Sequence, residues 1–106
     1  MGNKEIEQIE RLLEQTGKLS FPPFASEKKK REILNTIRNE TDYKISKILG
    51  ENSLFESRKD MLWMQAEELA SKEFDTLPDK LKMNSFYLQE VMHQYVEFVK
   101  KTFMNN

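Results

Sequence analysis

The chain has no cysteine. Disulfide staples, thiolate metal sites and a cysteine nucleophile are therefore excluded. There is a single histidine, so imidazole chemistry has one residue to work with. Three glycines and three prolines are all that punctuate 106 residues. Glycines that sparse cannot build a phosphate-cradling loop, and no Gly-x-Ser-x-Gly elbow is present. Long apolar runs are missing, so nothing reads as a membrane span. No charged-then-apolar leader opens the chain. "MGNKEI" has Gly2, but Ile6 stands where a myristoylation signal wants Ser or Thr, so Gly2 reads as ordinary. An excess of either charge is also absent. The formal net charge is −1, which exerts no overall pull toward nucleic acid or an anionic membrane. These absences argue against an enzyme and against any resident cofactor or metal. They suit a cytoplasmic protein.

What is present favours folding. A third of the residues are charged, but seven Phe, six Met and abundant Leu and Ile provide a core. The length suits a single helical domain over residues 1–106. Apolar spacing is helical throughout. The first segment runs from Lys4 to Thr16, with Ile6, Ile9, Leu12 and Leu13 in one stripe and Gly17 placed for a left-handed stop. "KLSFPPFAS" is a loop whose Leu19, Phe21 and Phe24 are expected to fold back onto the bundle. Ser26 can cap the second segment, whose stripe is Ile33, Leu34, Ile37, Ile45, Ile48 and Leu49, with Gly50 as its stop. The pattern leaves open whether "NETD", residues 39–42, interrupts this helix. Asp42 could cap a new helix or face water.

The third segment starts at Ser53, which stands at capping-box spacing from Glu56, and reaches Phe74 or Asp75. Its main stripe is Leu54, Phe55, Met61, Leu62, Ala66 and Leu69. Trp63, Ala70 and Phe74 form a second stripe. A short helical turn can follow Pro78. The fourth segment, Ser85 to Phe103, is apolar over half its circumference and so belongs at the centre. The expected fold is all-α, a compact bundle of four to five helices with mostly antiparallel neighbours.

"TDYKISKILG", residues 41–50, resembles the first helix and turn of the Cro- and repressor-type helix-turn-helix family. Ile45 and Leu49 match its core positions, Ser46 its small residue and Gly50 its turn. That resemblance implies a DNA-binding regulator whose second helix carries Asn52, Ser53, Arg58 and Lys59 to bases or phosphates. The second helix departs from the pattern, with Glu56 and Lys59 where apolar residues are wanted. Residues 26–59 hold nine basic and six acidic residues, with Lys28, Lys29, Lys30 and Arg31 the densest basic cluster. Residues 60–79 are acidic and would repel phosphate.

"EVMH" has the Glu-x-x-His spacing of di-iron bundles, but Glu90, His93 and Glu97 fall on the polar side of their helix. No metal or catalytic site is expected. The leading reading is a non-catalytic interaction or regulatory module that binds a protein partner or a second copy of itself. Trp63, Ala70 and Phe74 are its candidate protein-binding residues, unless the first segment covers them. The alternatives are the DNA-binding regulator and a structural subunit of a larger assembly.

Overall fold

The three long helices after the first begin where a short polar side chain takes up free backbone N–H groups. Ser26 accepts from Lys29 N, Asn52 from Leu54 N and Phe55 N, and Asn84 from Tyr87 N. The computed structural model describes residues 3–50 and 52–104, which leaves Gly2 outside the described residues. Five helices follow in chain order: α1 (Asn3–Thr16), α2 (Glu27–Leu49), α3 (Ser53–Glu73), α4 (Asp79–Lys82) and α5 (Ser85–Phe103). The fold is all-α, and no strand occurs among the described residues.

Two helix ends differ from expectation. Asn52, not Ser53, caps α3. The Asn52 carboxamide reaches two backbone donors from its extended conformation, and Glu56 is left free to bind Ser46 and Lys59. Gly17 does not adopt a left-handed turn. The Thr16 hydroxyl donates to the Leu13 carbonyl at 2.6 Å, and Lys18 N then binds the Gln15 carbonyl, so α1 closes in tight turns with negative φ. Gly50 does take the left-handed role, with φ 68° and its N–H on the Ser46 carbonyl.

α2 is continuous through Asn39–Asp42. Thr41 and Asp42 lie on its inward arc, and Asp42 is buried. Solvent does not compete for the backbone there, and the side chain finds partners elsewhere.

α5 is the central element. Val91, Tyr95, Val96 and Val99 are fully buried, α3 packs along one flank and α1 along another. The α3–α5 seam carries three edge-to-face aromatic pairs. Phe55 meets Phe103 at 5.8 Å between ring centres, Trp63 meets Tyr95 at 5.5 Å, and Phe74 meets Tyr87 at 6.1 Å. Residue numbers rise along α3 as they fall along α5, so the helices are antiparallel. Phe55 and Trp63 step by the same interval as Tyr95 and Phe103, which locks the register.

This seam shifts the buried face of α3: Phe55, Leu62 and Ala66 of the expected main stripe are buried, but the rest of that stripe is not. Trp63 and Ala70, read as a second stripe, are buried with Phe55, Leu62 and Ala66. Leu54, Met61 and Leu69, read as core, are exposed, and so is Met64. Both arcs are apolar enough to bury. The arc with aromatic partners on α5 wins. The cover over Trp63 is not α1, as expected, but Tyr95 and the Arg38 guanidinium, 4.9 Å from the indole centre.

α2 joins α3 through a ladder of polar side chains: Arg31 with Glu67 at 3.0 Å, Arg38 with Asp60, and Ser46 with Glu56 at 3.0 Å. These pairings are antiparallel and span most of both helices. α1 closes the remaining side through Ile9, which is fully buried, and through the Glu10–Lys100 ion pair.

Truncating a buried indole removes both burial and packing. Trp63→Ala should lower the unfolding free energy in urea by ~3–5 kcal/mol. Met61→Ala on the exposed arc should change it by less than ~0.5 kcal/mol.

Candidate protein-binding surface

The most perturbed polar groups of the molecule meet where α2, α3 and α5 touch. The Tyr95 hydroxyl donates to Asp42 Oδ1 at 2.5 Å. Arg38 Nε stands 3.7 Å from Asp42 Oδ2, an ion-pair distance too long for a hydrogen bond. The same guanidinium binds Asp60 and lies over Trp63. Burial raises the Asp42 carboxyl above its ordinary 3.8, against the Tyr95 hydrogen bond and the nearby Arg38. Burial, and then Asp42, raise the Tyr95 hydroxyl far above its ordinary 10.0. Perturbed groups of this kind mark active sites when they line a cleft. Here the Tyr95 ring is fully buried and Asp42 nearly so. The cluster fastens helices together.

The residues expected to contact partners fall in different places. Ala70 is fully buried, Trp63 is 5% exposed, and Phe74 is half-buried against Tyr87. None of the three forms a free anchor, because α5 already occupies that arc. Asn52 spends its side chain on the α3 cap, and Lys59 is partly buried and paired with Glu56, while Ser53 and Arg58 are exposed. Lys28, Lys29 and Arg31 are exposed at the other end of α2, and Lys30 reaches across to the Met83 carbonyl at 2.7 Å. At ~1.5 Å rise per residue, α2 separates the two basic groups by about 30 Å. Ile45 is buried and Ser46 faces α3. The continuous α2 and its long antiparallel ladder with α3 offer the DNA-reading alternative no support, because a helix-turn-helix sets its helices at ≈ 90–120°. Glu90, His93 and Glu97 sit on the outer side of α5. No group of three or more metal-ligating side chains gathers among the described residues.

The loop between α1 and α2 behaves differently from expectation. Leu19 and Phe21 do fold back. Phe21 N donates to Ser85 Oγ at 2.9 Å, Gln89 Nε2 donates to the Leu19 carbonyl at 2.8 Å, and Lys30 lies over the Phe21 ring. Phe24 instead points fully into solvent, with a left-handed φ of 64°. Pro22 and Pro23 have fixed φ, and the Ala25 N–H bonds back to the Pro22 carbonyl, so the turn throws Phe24 outward. Phe86 is 71% exposed on the residue next to Ser85, and Leu81 is exposed on α4. The bonds from Phe21 to Ser85 and from Lys30 to Met83 tie these three segments into one end of the bundle.

Sequence reasoning missed this end. The Phe86 signal was available, since it lies opposite Leu88 and Tyr95 on the α5 wheel. The exposure of Phe24 has no such signal, because it depends on a backbone turn. Comparison with family models, with curated proteins and with solved structures finds no match to this chain.

The buried cluster predicts a pH dependence. Tyr95 is raised in the fold, so its contribution is full below about pH 10 and is lost as pH rises beyond that. Lys59 and Lys100, raised by the hydrogen bonds they donate to Glu56 and Glu10, act in the same direction. Stability should therefore fall steeply above about pH 10, and Tyr95→Phe should flatten that fall in urea unfolding. Asp42 is also raised, so its contribution is full below pH 3.8 and is lost as pH rises through the folded value. Asp42→Asn mimics the protonated form and should cost less than ~1 kcal/mol at neutral pH.

Proposed function

We propose that this chain is a non-catalytic interaction module that binds a protein partner through the end of the bundle carrying Phe24, Leu81 and Phe86. The observation that carries this reading is Phe24, a large aromatic fully in water on a loop fastened to α5 at Leu19 and Phe21. Burying such a side chain in a partner releases ~1.5–3 kcal/mol. The loop is already ordered, so little entropy is lost on docking. A left-handed φ at a non-glycine residue costs ~1–2 kcal/mol. Such strain at an exposed loop tip is a feature of functional sites. A protein partner suits these residues because all three are large apolar side chains exposed to solvent.

A second reading has its own support. Leu54, Met61 and Met64 form an exposed apolar row on the outer arc of α3. A second copy of the chain could cover that row, giving a homodimer.

Photo-crosslinking separates the two. A benzophenone side chain at position 24 or 86 should yield a discrete protein adduct in cells, and one at position 65 should not. An adduct of twice the chain mass from position 65 alone would favour the homodimer. Nuclease-sensitive adducts would overturn both. Once the partner is in hand, Phe24→Ser should weaken binding by ~2 kcal/mol, with the melting temperature unchanged.

A further inference from the structure

A groove opens where the ends of α1 and α3 meet the first half of α5. Its volume is about 350 Å³, and Glu73, Phe74, Phe86, Glu90 and His93 line it with the Thr16–Gly17 backbone. That volume accommodates one long side chain with its polar head. Resting on the partner-binding reading above, we propose that this groove receives a lysine or arginine side chain of the protein partner.

Three features of the groove agree on a cation. First, it lies at two helix C-termini. α1 ends at Thr16 and α3 at Glu73, and both residues are in the wall. Each end presents the negative pole of its helix dipole, although turn N–H groups and the Thr16 hydroxyl already bond several of the last-turn carbonyls. α1 has no basic residue in its last turn to offset this. α3 has Lys72, which points to solvent and is not in the groove wall.

Second, the ionisable acids of the wall lack cationic partners. Glu73 and Glu90 form no ion pair among the described residues. Glu90 Oε1 accepts only from Gln94 Nε2 at 2.8 Å, which leaves the other oxygen for a ligand. No lysine or arginine of the chain lines the groove. This contrasts with Glu10, Glu56 and Glu67, all of which are paired with cations from neighbouring turns or helices.

Third, two aromatic rings flank the acids. Phe74 is held by its edge-to-face contact with Tyr87, and Phe86 is mostly exposed. A cation between carboxylates and ring faces gains from both, and arginine adds a planar fork for the carboxylate. Phe86 belongs to the groove and to the exposed apolar end. A partner segment with one apolar and one basic residue can therefore engage both at once.

A defined probe tests the groove without knowledge of the partner. The full chain, labelled with ¹⁵N, is titrated with acetyl-Leu-Arg-Leu-amide and with the same peptide carrying neutral citrulline. The arginine peptide should cause saturable amide shifts at Phe74, Phe86 and Glu90. The citrulline peptide should bind about fivefold more weakly or worse. The Glu73→Gln/Glu90→Gln variant should weaken the arginine peptide by a similar factor. Its amide spectrum away from the groove should be unchanged, since Glu73 is exposed and Glu90 only partly buried. Absence of saturable shifts, equal binding of the two peptides, or indifference to the double variant would overturn the proposal. If crosslinking from position 24 still captures a protein while the titration is flat, the groove assignment alone falls.

Discussion

The hydrogen bond from Tyr95 to Asp42 is the constraint on which the rest of the structure depends. It places a carboxylate among the side chains of the central helix, where solvation is poor. Such a group is tolerated only if its partners are held in position. Tyr95 sits on α5, Arg38 one turn before Asp42 on α2, and Asp60 and Trp63 on α3. Three helices thus meet at one polar point. α2 needs this fastening more than the other helices do. Its backbone lies farther from α3 and α5 than α3 does from α5, and long side chains bridge the distance.

Around that point the apolar framework is simple. Aromatic pairs at both ends and the middle of the α3–α5 seam set the register, and α1 seals the opposite flank of α5. The rigidity has a consequence at the far end. Because α4, the start of α5 and the α1–α2 loop are bonded to one another, Phe24, Leu81 and Phe86 are presented by a fixed scaffold. Preorganised apolar anchors are an economical way to bind a partner.

Much of this architecture was legible in the residues. Ser26, Gly50 and Pro78 mark helix limits because capping and left-handed turns are local chemistry. α5 was placed at the centre because a stripe half a circumference wide must touch two neighbours. On α3, Phe55, Leu62 and Ala66 were legible as core, but whether Leu54–Met61–Leu69 or Trp63–Ala70 would join them was not, since both are apolar and only the rings of α5 decide between them. Asp42 was harder still. A carboxylate in a helix reads as solvated until its partner is known, and Tyr95 lies 53 residues away. At the candidate site, Phe86 was readable from the α5 wheel, whereas Phe24 depends on a turn that no periodicity reports. The groove joins residues from three helices, and its acids and rings come together only in the folded chain.

The most direct test of this account is a double-mutant cycle in urea unfolding with Asp42→Ala, Tyr95→Phe and their combination. If the bond between them fastens α2 to the centre, the two losses should be non-additive by about 1–3 kcal/mol. Losses that add to within ~0.5 kcal/mol would show that the two groups act independently, and that the Tyr95–Asp42 bond does not fasten α2 to the centre.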